Sequence, residues 1–112
     1  MNIVKFSKKN GFVSRETLIN VADEYYPIYL TEMKNWLQSK YKILVEVNFN
    51  DGLYRKLHEK AHKKKSSNYH WCVFTNIDDP DFFYEKFWSD DTFESYEKSL
   101  EKALEYGLKL IR

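Results

Sequence analysis

Residues 42–49 constrain the fold most strongly, because their side chains alternate in character along the chain. The odd-numbered positions are apolar throughout: Ile43, Val45, Val47 and Phe49. A period of two with β-branched residues is typical of a strand. The turn-forming residues Asn50-Asp51-Gly52 follow directly and end the pattern. The sequence therefore predicts a strand over residues 42–49.

Two more strands are predicted further along the chain. Residues 69–77 alternate as well, and both of their faces are partly apolar. Residues 82–88 are rich in aromatic side chains, which favours a third strand without deciding its register. Asp78-Asp79-Pro80 and Ser89-Asp90-Asp91 are turn sequences that bound this third strand.

The C-terminal residues predict a helix that begins after Ser95, whose hydroxyl can accept a hydrogen bond from a first-turn N–H group. Gly107 within this helix costs about 1 kcal/mol of helix propensity relative to alanine. We expect a close approach of the helix to the sheet to offset that cost. The apolar stripe of the helix recurs at three- and four-residue steps: Tyr96, Leu100, Ala103, Leu104, Gly107, Leu108 and Ile111.

Two further helices are predicted in the N-terminal part of the chain. Ser14 is a candidate cap for a helix over residues 15–26, which Pro27 should end or bend. Thr31 is a candidate cap for a second helix that continues to about Lys40. A brief strand is predicted before these helices from Ile3, Val4 and Phe6.

These elements predict an α+β fold of order α-α-β-β-β-α, in which a three-stranded antiparallel sheet packs against N-terminal and C-terminal helices. The chain has 112 residues, the length of one domain, so we expect residues 1–112 to form a single domain. Residues 53–68 are a basic insert in this domain. Their pattern leaves open whether they form a helix or a long hairpin loop.

Charge is distributed unevenly along a chain whose net charge is only +1. Residues 55–65 contain six bases and one acid, a net of +5, whereas residues 78–101 contain nine acids and two bases, a net of −7. The low net charge argues against a general polyanion binder. The two segments nevertheless predict a molecule with one basic and one acidic side.

The cellular setting is predicted from what the sequence lacks. Cys72 is the only cysteine, so no internal disulfide can form, which fits a reducing compartment. There is no N-terminal signal pattern, and no apolar run approaches the ~20 residues that cross a bilayer. We expect a cytoplasmic protein with no membrane partner.

The string His58-Glu59-Lys60-Ala61-His62 matches the pattern H-E-x-x-H. On a helix, its two imidazoles would lie one turn apart and could bind one Zn²⁺, with the glutamate as general base on a metal-bound water. Lysines crowd the string, no third ligand is indicated, and nearby cations weaken a metal site. We therefore predict no metal and no cofactor, and a zinc hydrolase stays a second alternative.

The basic insert is a candidate nucleic-acid interface, because lysine and arginine can contact phosphates. The alternative is a solvated charged segment that binds nothing. The candidate contacts are Arg55, Lys56, Lys60, Lys63, Lys64 and Lys65.

The aromatic residues around the third strand are a candidate protein-binding surface, since protein interfaces are enriched in such side chains. The alternatives are a thick aromatic core and a homodimer that pairs through an edge strand. The candidate contacts are Phe82, Phe83, Tyr84, Phe87 and Trp88.

No pattern for nucleophilic catalysis is present. Cys72 lies in the middle of a predicted strand beside Trp71, which favours a buried and inert thiol. There is no glycine-rich phosphate loop, and the paired aspartates lie in turns, where aspartate is expected for turn formation alone. The sequence therefore predicts a protein that is not an enzyme.

Two stretches, residues 30–47 and residues 93–111, resemble a set of small uncharacterised proteins from phages and mobile elements of Bacteroidetes. The shared pattern is a Thr-capped helix with Trp36-Leu37, a strand, a Trp-rich hairpin and a final helix that begins near Ser95-Tyr96-Glu97. The resemblance implies an intracellular accessory protein that acts by binding. We predict stoichiometric binding to another protein, for example as an inhibitor of a host factor, with a nucleic-acid-binding module as the alternative.

Overall fold

The computed structural model describes residues 3–12, 26–81 and 84–111, and it shows an α+β fold. Three strands form an antiparallel sheet in the order β1-β2-β3. The predicted fold class and order are confirmed, with the basic insert as an additional helix between the first two strands. The elements are α1 (Ile3–Lys9), α2 (Tyr26–Tyr41), β1 (Leu44–Phe49), α3 (Gly52–His62), β2 (Tyr69–Thr75), β3 (Glu85–Trp88) and α4 (Tyr96–Lys109).

The strand register assigns each side chain to one of two faces of the sheet. Val45 pairs with Val73, and Val73 in turn pairs with Phe87, so these three residues share the face that we call the inner face. Cys72 pairs with Trp88 and lies on the opposite, outer face. Paired residues in an antiparallel sheet project to the same side, which makes this assignment unambiguous.

The hydrophobic core lies between the inner face and the helices α2 and α4. Val45 and Val73 of the sheet are completely buried there, and so are Leu37 of α2 and Leu104 of α4. The helix α4 begins as predicted, because the Ser95 hydroxyl accepts a hydrogen bond of 3.1 Å from the Lys98 N–H group. Apolar residues of both helices and of the sheet thus form one continuous core.

Gly107 lies where α4 packs tightly against α2 and β1. A Cβ atom at this position would meet the Leu37 side chain at 3.3 Å, with Val45 and Ile43 at 3.5 and 3.6 Å. The missing side chain therefore allows the close approach that the sequence predicts. Close packing of this kind compensates for the poor helix propensity of glycine.

Two N-terminal predictions are wrong. Residues 3–9 form the helix α1 and not a strand, and Gly11 follows its end with a φ of +93°, which few other residues adopt. The second helix begins at Tyr26 and not after Thr31. Pro27 lies in its first turn, where the missing N–H group removes no helical hydrogen bond, and the Thr31 hydroxyl donates to the Pro27 carbonyl. The helix predicted over residues 15–26 falls almost entirely outside the described residues.

The insert forms a helix, which decides the choice that the sequence left open. Asp51 caps α3 by accepting a hydrogen bond of 2.8 Å from the Tyr54 N–H group. Lys63 ends it in the left-handed conformation.

None of the helices in the described ranges is long and apolar enough to span a membrane.

The contact at Gly107 leads to a stability prediction. Gly107→Val places two methyl groups against Leu37 and β1, and overpacking of this kind costs about 1–3 kcal/mol. We expect the midpoint of urea unfolding to fall accordingly. Gly52→Ala is the control, since no atom lies within 4 Å of a Cβ there. Equal stability of Gly107→Val and the wild type would contradict the close approach.

Candidate binding surface on the outer face of the sheet

The outer face of the sheet is the candidate functional surface, and α3 covers only one end of it. The ring of Tyr54 in α3 stacks on His70 of β2 with centroids 4.1 Å apart and the planes 6° from parallel. On the other side of His70, the Trp88 ring lies 5.8 Å away. Aromatic contacts therefore join the helix, the middle strand and the edge strand.

A buried asparagine anchors this end of the sheet. The side chain of Asn50 donates to the Ser67 carbonyl at 2.7 Å and accepts a hydrogen bond from Nδ1 of His70. The carbonyl of Asn50 accepts from the Arg55 guanidinium, which also donates to Asn68. One residue thus links the end of β1 to α3, to β2 and to the loop between them.

Burial lowers the pKa of the His70 imidazole below its ordinary value of 6.5, and the nearby His58 and Lys86 lower it further. The ring is 5% exposed, so a proton on it would be poorly solvated. His70 is therefore held in its neutral form. Since Asn50 Oδ1 can only accept, the hydrogen atom lies on Nδ1 of His70.

The H-E-x-x-H string lies on the helix α3, a choice that the sequence left open, and the side chains of His58 and Glu59 have hydrogen-bond partners in the fold. Nε2 of His58 lies 3.2 Å from the Asp90 carbonyl oxygen, which can only accept, so Nε2 donates. Nδ1 of His58 then accepts from the Ser66 hydroxyl at 2.8 Å. The Glu59 carboxylate accepts from the Ser66 N–H group.

The string therefore fastens α3 to the loops that follow it. A metal ion at His58 would have to displace one of these two hydrogen bonds, and the Glu59 carboxylate is turned to the loop at Ser66. Within the described ranges, no three histidine, cysteine or acidic side chains are grouped as a metal site. The hydrogen bonds of His58 and Glu59 give the string a structural role that the sequence did not predict.

The aromatic candidates divide between the two faces of the sheet. Tyr84 and Trp88 are 52% and 51% exposed on the outer face. Between them the Lys86 ammonium lies 3.8 Å from the centre of the Trp88 ring and 4.9 Å from that of Phe74. Phe87 points to the inner face, where its ring packs against Tyr106 at 5.2 Å. Phe82 and Phe83 lie outside the described residues.

The six basic candidates also divide into two groups. Arg55 is bound to Asn50 and Asn68, and the Lys64 ammonium forms an ion pair of 2.8 Å with Asp91. The other four are exposed and have no ion-pair partner among the described residues: Lys56, Lys60, Lys63 and Lys65.

The outer face also carries Cys72, which is almost completely buried. Burial raises the pKa of its thiol, and the nearby Glu46 carboxylate raises it further. The thiol form is therefore stabilised at neutral pH, which makes this group a poor nucleophile. The inert cysteine predicted from the sequence agrees with this environment.

The ring contacts of Tyr54, His70 and Trp88 were not predicted, because strand alternation assigns faces but does not place a helix over one of them. No family model, curated protein or solved structure matches this chain. Its function must therefore be inferred from the surface itself.

The state of His70 predicts how stability depends on pH. Its folded pKa lies below 6.5, so as the pH falls through that value the unfolded chain binds a proton that the folded chain does not. We expect the unfolding free energy to decrease between neutral pH and the folded pKa. The measurement is urea unfolding at several pH values in that window.

His70→Gln is the matched variant, because its amide can still donate to Asn50. We expect a smaller loss of stability on acidification than in the wild type. The carboxylate of Asp91, whose pKa is lowered by Lys64, titrates at more acidic pH and does not interfere. The same pH dependence in both proteins would show that His70 is not the titrating group.

Proposed function

We propose that this protein is a non-enzymatic binding protein that acts stoichiometrically on another protein. One observation carries the proposal: Tyr84 and Trp88 present two half-exposed aromatic rings on the outer face, with Lys86 between them. Large aromatic side chains next to a cation are the residue types that dominate binding energy at protein interfaces.

We infer that the partner binds the outer face and not the free edge of β3. That strand has only four residues and carries Lys86 in its middle. Short edge strands with a lysine resist pairing with further strands. The same features disfavour a homodimer that pairs through β3.

The surroundings of the potentially reactive side chains support binding rather than catalysis. His58 and Glu59 are engaged in hydrogen bonds that hold the loop after α3. The Cys72 thiol is buried and His70 is kept neutral. An inhibitor of a host factor is one concrete form of this proposal.

Contact with nucleic acid is the second candidate, and it is favoured by the four exposed lysines of the insert that have no ion-pair partner among the described residues. Against it, Arg55 and Lys64 are held by other residues, and two leucines of α3 lie exposed near the lysines. A gel shift at low and high salt separates the candidates, since true phosphate contacts weaken steeply as salt rises.

The test of the proposed function is the double variant Tyr84→Ser with Trp88→Ser. Immobilised wild-type protein should capture a partner from a lysate of its native host in a one-to-one ratio. We expect the double variant to capture it at least about tenfold less well, since aromatic hot spots contribute about 2 kcal/mol or more.

Ile28→Ser is the control, because this side chain is 51% exposed in α2, away from the outer face. It should capture the partner as the wild type does. Capture that is unaffected by the double variant, or that yields no partner at micromolar bait, would refute binding through the outer face.

A further inference from the structure

The outward side of α3 carries an apolar row that the fold does not use. Leu53 and Leu57 are 69% and 60% exposed, and Ala61 is exposed as well. These residues are spaced by four and lie above one another on the helix. Phe49, the last residue of β1, is exposed too. Three of the seven large exposed apolar side chains of the described residues thus fall within residues 49–57.

Other side chains attach α3 to the domain. Tyr54 stacks on His70, and the buried His58 is hydrogen-bonded to Ser66 and Asp90. An amphipathic helix ordinarily turns its leucines toward the core. Here rings and polar groups face the domain, and the leucines face outward. An exposed apolar patch that has no role in folding indicates an interaction site.

The exposed charge beside this row is positive. Lys56 and Lys60 follow Leu53 and Leu57 by three residues each, so they border the row along the helix. Both are exposed and have no ion-pair partner among the described residues. The Glu59 carboxylate faces the loop, where it accepts from Ser66.

We propose that α3 is a docking ridge for an acidic amphipathic helix of the protein partner. The apolar side of that helix packs on Leu53 and Leu57, and its carboxylates face Lys56 and Lys60. The spacing of four matches the ridges by which helices pack, and the small Ala61 permits close approach. This inference rests on the proposed function and supplies the chemistry of the partner.

Exposed acidic residues of this protein near α3 favour an acidic helix as the partner over an extended polyanion. Asp51 lies at the start of α3, and Asp90 and Asp91 lie against its other end through His58 and Lys64. A nucleic-acid backbone or an anionic bilayer extends beyond the helix and would meet these carboxylates. A single acidic helix contacts the ridge alone. Phosphates also have no favourable contact with the two leucines.

The experiment uses the full ¹⁵N-labelled chain and a synthetic probe. The probe is an amphipathic Leu/Glu peptide of about 18 residues, five turns of helix, and its twin has every Glu replaced by Lys. We expect the acidic peptide to shift the amide resonances of α3 and the lysine twin to leave them unchanged. Binding should weaken as salt rises.

Two double variants test the contacts. Leu53→Ser with Leu57→Ser should weaken binding of the acidic peptide at least tenfold. Ile28→Ser, which changes an exposed apolar residue of α2, should leave this binding unchanged. The variant with Lys56→Glu and Lys60→Glu should reverse the preference between the two peptides and bind the lysine twin more tightly than the acidic peptide. Lys109→Glu, an exposed lysine of α4, is the charge control. All substituted side chains are exposed, so the fold should persist, which circular dichroism checks.

Equal binding of both peptides, shifts outside α3, or tighter α3-dependent binding of single-stranded DNA or phosphatidylglycerol vesicles would overturn the docking ridge. Such a result leaves the proposed function standing if capture of a partner still depends on Tyr84 and Trp88. If peptide binding does not depend on α3 and partner capture does not depend on Tyr84 and Trp88, both proposals are refuted.

Discussion

The close approach of α4 to α2 and β1 at Gly107 is the contact on which the architecture depends. It lets two helices share one face of a sheet that has only three strands, and the buried aliphatic side chains are concentrated there. Of the aliphatic side chains in the described strands, Val45, Val47 and Val73 lie on this inner face, and Leu44 lies on the outer one. That face is built mainly from rings, a lysine and buried polar groups.

The outer face is held by directional contacts and not by apolar burial. Asn50, His70 and Tyr54 form a chain of hydrogen bonds and stacked rings that fixes α3 across one end of the sheet. Such contacts orient a helix without burying its leucine side chains. For this reason α3 can be attached firmly and still present Leu53 and Leu57 to a partner, next to a face that exposes Tyr84 and Trp88.

The H-E-x-x-H string shows how far a motif can be interpreted without its surroundings. Its helical spacing is as expected, and His58 and His62 lie with ring centres 4.3 Å apart. Both nitrogen atoms of His58 are nevertheless hydrogen-bonded outside the helix, Nδ1 to Ser66 in the loop that follows and Nε2 to the carbonyl of Asp90, which is 32 residues away. The lysine-rich setting of the string argued against a metal, whereas only the fold revealed what the histidine does instead.

Local sequence patterns were sufficient to predict the sheet, the final helix with its Ser95 cap and the tight packing at Gly107. Periodicity and capping act over a few residues, so they can be recognised in the sequence alone. They failed at α1 and at the start of α2, where short apolar segments fit more than one structure. Which face α3 covers, and which of the aromatic and basic side chains stay exposed, was decided by tertiary structure. Those outcomes depend on contacts between residues far apart in sequence, such as Tyr54 with His70 and Lys64 with Asp91, which no local pattern encodes.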